Sequence, residues 1–101
     1  MTYPEEATSG FAVETITVAT TAIGFTLATM RPTDQPGATR AVCTLETAQI
    51  RYWPTGNPTS TVGHILNVGD TLIVEGLADL NNIRFIRTGG TSGVLQVSFE
   101  R

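Results

Sequence analysis

The sequence predicts an all-β protein, an antiparallel β-sandwich or flattened barrel of about eight short strands. Thr accounts for 18 of the 101 residues, and β-branched side chains favour the pleated surface of a sheet over a helix. Apolar and polar residues alternate with a period of two, most clearly in residues 94–100. Turn-forming residues interrupt such runs about every 8–12 residues, and no apolar pattern is long enough for a helix of three turns.

Each strand is predicted from a short apolar run bounded by turn residues. The predicted strands lie at residues 11–19, 23–29, 40–45, 48–53, 64–66, 71–75, 82–87 and 94–100. In the first, the apolar phase changes near Thr15, which predicts a bulge or two short strands. Residues 31–37 contain two Pro and one Gly and are predicted to be a loop. Residues 76–81 predict one helical turn, in which Leu77 and Leu80 share a face.

The two-residue period also assigns side chains to faces, because successive strand residues point to opposite sides. The residues expected to face the core are Ala41, Cys43, Leu45, Ile50, Tyr52, Ile83, Phe85, Leu95, Val97 and Phe99. The last strand is expected to point Val94, Gln96, Ser98 and Glu100 outward. Trp53 follows Tyr52 directly and is therefore expected on the outer side.

Length and charge limit the organisation and the partners of the protein. Residues 1–10 have no periodic apolar pattern and are predicted to be a flexible arm, with residues 11–101 forming a single β-sandwich domain. The net charge of −3 and the pI near 4.9 argue against nucleic-acid binding. Residues 15–30 are uncharged but too short and too rich in Thr for a membrane span. A single Cys cannot form an internal disulfide, which indicates folding in a reducing cytoplasm.

No combination of side chains points to catalysis, and no metal or cofactor is expected. His64 is the only His and has no ligand partner at metal-binding spacing. Cys43 lies in the apolar register of its strand, which indicates a buried thiol rather than a nucleophile. The carboxylates fall at strand ends and turns, not in facing pairs. Residues 88–93 (TGGTSG) lack the Lys and the following helix of a phosphate-binding loop, and they are predicted to form a flexible hairpin loop.

Five residues are candidates for binding a partner. Trp53 offers a stacking surface at the end of a strand. Thr55 and Asn57 lie in the Pro-rich turn that follows it. Arg84 and Arg87, together with Arg51, form either a local basic patch or a set of ordinary solvated side chains. The candidate partner-binding residues are therefore Trp53, Thr55, Asn57, Arg84 and Arg87.

Two stretches of the chain resemble known protein families. The sequence IRYWPTGNPTS at residues 50–60 resembles the I-x-Y-x-x-D-G-x-x-P-T signature of chitobiase C-terminal-like β-sandwich modules. Ile50, Tyr52, Gly56, Pro58 and Thr59 correspond in kind. Thr stands where that family has Asp, and the spacing from Gly to Pro is one residue shorter. The resemblance implies a sandwich fold.

A broader resemblance is to small β-rich structural proteins of tailed bacteriophages and prophages. It is carried by ETAQIRY at residues 46–52, G-x-P-T at 56–59, VGHIL-x-x-GD at 62–70 and FIRTG…SGVLQVSF-x-R at 85–101. This resemblance implies a virion structural component that has no catalytic residues and is synthesised in the bacterial host cytoplasm. The expected function is that of a capsid decoration (cementing) protein, a homo-oligomer whose partner is a viral capsid or tail protein. Two alternatives are a head–tail or tail component and a carbohydrate-binding module that uses Trp53.

Overall fold

The computed structural model describes residues 10–101, and within them the chain is almost entirely β-structure. Seven strands and two short helices follow one another along the chain. They are β1 (Gly10–Val18), α1 (Leu27–Met30), β2 (Arg40–Glu46), β3 (Ile50–Trp53), β4 (His64–Leu66), β5 (Thr71–Glu75), α2 (Leu77–Asn82), β6 (Arg84–Arg87) and β7 (Gly93–Glu100). The predicted all-β class is confirmed, with seven strands in place of about eight. The arm predicted for residues 1–10 lies outside the described residues, except for Gly10, which begins β1.

The strands form two separate antiparallel sheets, as in a sandwich. One sheet has four strands in the order β1-β7-β2-β5, and the other has three in the order β4-β3-β6. Every pairing is antiparallel. In the four-stranded sheet β7 lies between β1 and β2, so the last strand of the chain joins the first strand to the rest of the sheet.

The core lies between the two sheets and is filled from both of them. The fully buried large side chains include Phe85 and Ile50 from the three-stranded sheet and Phe99, Leu95 and Leu45 from the four-stranded sheet. The inward assignments made for β2, β6 and β7 agree with this burial. Alternation was therefore sufficient to place the core residues of these three strands.

The prediction of a strand at residues 23–29 is wrong. Ile23 makes one isolated bridge to Phe85, and the chain then turns into α1 instead of pairing further. Met30 is the buried residue of this helix, whereas Leu27 is exposed. Pro32 follows closely, and the residue before a proline disfavours the helical conformation, which accounts for the end of the helix at Met30.

In β1 the change of phase predicted near Thr15 is also misplaced. The irregularity in pairing with β7 falls between Gly10 and Ala12. From there on a single continuous strand buries Ile16 and Val18 and leaves Val13 on the outer side. The irregularity lies at the beginning of the strand, where it interrupts the fewest ladder hydrogen bonds, and the pairing is regular at Thr15.

The helical turn predicted at residues 76–81 is confirmed as α2, in which Leu80 is buried and Leu77 is exposed. One predicted connection differs from the structure. Residues 88–93 are not a hairpin loop, because β6 and β7 belong to different sheets. These residues carry the chain from one layer of the sandwich to the other.

Glu100, which was expected to point outward, is fully buried. Its position agrees with the outward register of β7, since it shares the parity of Gln96 and Ser98. Its carboxylate lies 3.7 Å from the Arg40 guanidinium, as measured between Oε1 and Nη1. Pairing with a cation is the usual condition under which a carboxylate is buried in a protein.

Candidate functional site

The loop of residues 54–63 is held against the sheet by hydrogen bonds. It carries two of the predicted partner-binding residues. The Arg51 guanidinium donates to the carbonyl oxygens of Ser60 (3.2 Å) and Gly63 (2.7 Å). The Thr59 hydroxyl accepts hydrogen bonds from the backbone N–H groups of Thr61 (3.3 Å) and Val62 (3.0 Å). A turn in which a side-chain hydroxyl accepts hydrogen bonds from the backbone in this way restricts the conformation of the loop.

Within this loop Thr55 and Asn57 are exposed, while Pro58 between Asn57 and Thr59 is buried. Gly63 closes the loop at a positive φ of 133°. A Cβ at this position would lie 3.1 Å from the Tyr52 carbonyl oxygen and 3.1 Å from the Pro58 Cβ. The loop therefore presents Thr55 and Asn57 to solvent from a defined backbone.

Trp53 is part of a small aromatic cluster and is only partly exposed. Its ring meets His64 edge-on, with 5.0 Å between centroids and an interplanar angle of 76°. Tyr52 lies 5.3 Å from His64 and 6.3 Å from Phe85, and it packs against the core as predicted. Such edge-to-face contacts hold the Trp53 ring in place.

The structure brings Arg84 close to Trp53 but leaves Arg87 apart from it. Trp53 and Arg84 face each other across the β3–β6 pair, whereas Arg87 is opposite Ile50. Arg84 and Arg87 are three residue steps apart along the strand, which is roughly 10 Å at about 3.3 Å per residue. The five predicted residues therefore include one adjacent pair, two loop residues beyond it, and a more distant Arg87.

The three arginines considered as a basic patch each donate hydrogen bonds within the protein. The Arg84 guanidinium bonds the carbonyl oxygens of Asn81 (3.0 Å) and Ile83 (2.7 Å). The Arg87 guanidinium donates to the Ser92 hydroxyl at 3.3 Å. Arg51 holds the loop described above. Arg51 and Arg84 thus bond backbone carbonyl oxygens, and Arg87 bonds a side-chain hydroxyl.

Cys43 is a buried thiol in the centre of the four-stranded sheet. Burial, with a smaller contribution from the Glu14 carboxylate, raises the pKa of Cys43 from 9.0 to about 12. A thiol must ionise to act as a nucleophile, so Cys43 remains in its unreactive protonated form at neutral pH. Within residues 10–101 there is no group of three or more His, Cys, Asp or Glu side chains placed to hold a metal ion.

A further surface, which sequence reasoning missed, is the outer face of the four-stranded sheet. We call it the outer face and define it by two rows of residues that cross all four strands. The rows are Val13–Ser98–Val42–Ile73 and Thr15–Gln96–Thr44–Thr71. None of the eight residues is charged. Val13 is 75% exposed and Ile73 is 49% exposed, so apolar side chains at both edges face solvent.

Hydrogen bonds between neighbouring strands order part of this face. The Thr15 hydroxyl donates to Gln96 Oε1 at 2.6 Å. The same Gln96 amide donates from Nε2 to the Glu46 carboxylate at 3.1 Å. The chain of contacts links β1, β7 and β2 through side chains that lie at the surface. Cross-strand pairs of this kind add a modest stabilisation and restrict side-chain rotamers.

Comparison of the chain with protein-family models, with curated proteins and with solved structures finds no match. None of the helices in the described part of the chain is long and apolar enough to cross a membrane.

Proposed function

We propose that the protein is a non-catalytic structural protein that binds a repeating protein surface through the outer face of its four-stranded sheet. The observation that carries the proposal is the pair of uncharged rows crossing all four strands. The central part of a protein interface is depleted in charged residues, because desolvating a charge opposes association. The two uncharged rows, which lie between the charged row Glu100–Arg40–Glu75 and Glu46, therefore suit the central part of a contact between proteins.

The residue types on this face also favour binding. Val13, Thr15, Thr71 and Ile73 are exposed and β-branched. β-branched side chains have few χ1 rotamers, so less conformational entropy is lost when a partner immobilises them. Gln96 is already held by its two hydrogen bonds. The face is thus largely preorganised for its partner.

The specific form of the proposal is a capsid decoration protein on the virion of a tailed bacteriophage. The resemblance of residues 46–52, 56–59, 62–70 and 85–101 to small phage structural proteins supports it. A capsid offers many copies of one surface, which a small domain that carries one such pair of uncharged rows can occupy repeatedly. The proposed protein assembles on a viral capsid or tail protein as one of many copies.

The test begins with mass spectrometry of particles purified from the strain that encodes the chain. A decoration protein is expected in an amount comparable to that of the major capsid protein, whereas a head–tail or tail component is expected in a few copies. Absence from the particles would overturn the proposal.

A variant then tests which surface binds. Thr15→Arg places a charge on the outer face at its β1 edge, beside Gln96, and is expected to prevent co-sedimentation with particles that lack the protein. Val62→Arg is the matched control, because Val62 is exposed in the loop before β4 and lies outside the two rows. Equal binding by both variants would exclude the outer face as the docking surface.

A second candidate function is carbohydrate binding, favoured by the cluster of Tyr52, Trp53 and His64. Aromatic rings that are partly exposed can stack on sugar rings. A glycan array distinguishes this candidate: Trp53→Ala is expected to abolish any glycan signal, with circular dichroism as the check that the fold persists. An array without signal for the unsubstituted protein removes this candidate.

A further inference from the structure

We propose that the free edge of β5 binds an extended, cation-bearing segment of a partner protein as an additional β-strand. This site lies beside the groove between β5 and the end of β3, and its binding groups are the backbone of Thr71–Glu75 and the groove itself. It does not depend on the function proposed above, which uses side chains of the outer face: Thr71 and Ile73 contribute their side chains to that face and their backbone groups to this site.

The direction of the backbone groups of β5 follows from two hydrogen bonds at its ends. The Leu45 N–H donates to the Asp70 carbonyl at 3.3 Å, and the Gly76 N–H donates to the Thr39 carbonyl at 3.1 Å. In an antiparallel pair, hydrogen-bonded positions recur at every second residue. The bonded positions of β5 are therefore Leu72 and Val74, in register with Cys43 and Ala41.

The remaining positions of the strand, Thr71, Ile73 and Glu75, point their N–H and C=O groups away from β2. In the described part of the chain, β5 has no strand on that side. Nor do these three residues make a backbone hydrogen bond in a turn or loop there. A row of such groups is the feature that strand addition uses, since the added strand supplies the missing donors and acceptors.

The sequence of β5 also does little to block this edge. Natural edge strands are commonly protected by Lys, Pro or a bulge. The strand TLIVE has none of these, and its pairing with β2 is regular over all five residues. Ile73, at its centre, is half exposed. The edge is therefore short, but its sequence does not prevent pairing with a further strand.

A groove runs along the same edge and provides contacts for side chains. Leu72 and Val74 lie on the β5 side, and Tyr52, Pro54 and Ile83 lie opposite. Its volume is about 210 Å³, below the roughly 300–1,000 Å³ of small-molecule pockets. The space suits one or two side chains of a peptide better than a whole small molecule.

The rim of the groove determines the charge of the expected partner. Glu75 and Asp79 both line it, and no Arg or His does. One oxygen of Glu75 already accepts a hydrogen bond from Arg40 at 3.1 Å, which leaves Asp79 as the main anionic group. A second copy of β5 would add a further Glu to this acidic rim. An Arg or Lys side chain of a different protein complements the charge instead.

The test uses two acetylated and amidated pentapeptides, Thr-Val-Thr-Arg-Thr and its reverse-order partner Thr-Arg-Thr-Val-Thr. In each, the Val and Arg side chains share one face of an extended strand, so one can enter the groove while the other meets its rim. The peptides are titrated into ¹⁵N-labelled protein and amide shifts are followed by NMR. We expect saturable shifts at Thr71, Ile73 and Glu75 with at least one of the two peptides.

Backbone N-methylation of the peptide tests the strand geometry directly. Alternate N–H groups of an added strand point toward β5 and away from it. Methylating one alternate set is expected to weaken binding by roughly tenfold or more, since one or more hydrogen bonds are lost. Methylating the other set is expected to change the affinity by less than about twofold. Equal losses from the two sets would overturn strand addition.

Charge is tested on both partners. Replacing the peptide Arg by Glu is expected to abolish the shifts, and Asp79→Asn is expected to weaken binding by roughly two- to fivefold, the range of a partly exposed ion pair. Asp34→Asn is the matched control, because Asp34 is an exposed acid in the loop after α1 and does not line the groove. No saturable shift with either peptide, shifts confined to other strands, or dimerisation without peptide would each overturn the proposal.

Discussion

The Arg40 guanidinium lies inside the protein between the carboxylates of Glu100 and Glu75. Its Nη1 is 3.7 Å from Oε1 of Glu100, which is the buried one of the two. On its other side the Arg40 Nη2 is 3.1 Å from Glu75 Oε2. The three residues form one row across β7, β2 and β5. Glu100 is fully buried, whereas the Glu75 side chain is 65% exposed. The row therefore contains one buried and one surface ion pair that share a single cation.

Glu100→Gln is expected to lower the free energy of unfolding by about 2–4 kcal/mol, because removal of one partner leaves the buried guanidinium less well compensated. Glu75→Gln serves as the control and is expected to change it by less than about 1 kcal/mol, since exposed ion pairs contribute little. Urea denaturation of both variants measures the difference. Similar losses from the two substitutions would show that burial does not distinguish the two ion pairs.

Glu100 also shows what the sequence could not reveal. The two-residue period placed it correctly on the side of β7 away from the main core. Its burial depends on Arg40, which is sixty residues away in the chain and becomes a neighbour only because β7 pairs with β2. Alternation predicts a face, but the strand order decides what else lies on that face.

The same limit applies to the candidate sites. Trp53 and Arg84 were proposed separately and come together because β3 and β6 pair, while the same pairing leaves Arg87 further along the strand. The outer face could not be predicted, since its rows combine β1, β7, β2 and β5. Local signals did locate the turn between the strands predicted at residues 64–66 and 71–75, where the Asp70 carboxylate accepts the Asn67 N–H at 2.8 Å.

The register of the last strand gives a second stability prediction. Val97 is buried between the sheets, so Val97→Ala is expected to cost on the order of 1–3 kcal/mol through the cavity it leaves. Gln96 points to the outer face, and Gln96→Ala is expected to stay within ~0.5 kcal/mol despite its two surface hydrogen bonds. Thermal and urea unfolding measure both. A larger effect at Gln96 than at Val97 would contradict the observed register.

Gly93 is required where β7 begins, because the chain there passes very close to β3. A Cβ at this position would lie 2.5 Å from Ile50 Cγ2 and 2.8 Å from the Ala48 carbonyl oxygen. Gly93→Ala is therefore expected to cost about 1–3 kcal/mol through overpacking. Gly90→Ala is the control, since nothing lies within 4 Å of its Cβ position, and it is expected to be neutral or slightly stabilising. Equal unfolding midpoints for the two variants would refute the close approach.

Burial of Cys43 predicts how stability depends on pH under alkaline conditions. Burial raises the pKa of Cys43 from 9.0 to about 12, so the folded protein retains a proton that the unfolded chain releases above pH 9. The corresponding stability is present below pH 9 and is lost as the pH rises toward 12, with a slope of at most about 1.4 kcal/mol per pH unit.

The measurement is the free energy of unfolding at several pH values between 8 and 11 for the unsubstituted protein and for Cys43→Ala. The substituted protein lacks the thiol but keeps every other titrating group, so the difference between the two curves isolates Cys43. We expect the free energy of unfolding of the unsubstituted protein, relative to that of Cys43→Ala, to be constant below about pH 9 and to fall above it. The native thiol is also expected to resist alkylation at pH 8, because its thiolate fraction is negligible there. Parallel curves would show that the pKa of Cys43 is not raised in the folded protein. Rapid alkylation of the folded protein would show that the thiol is accessible.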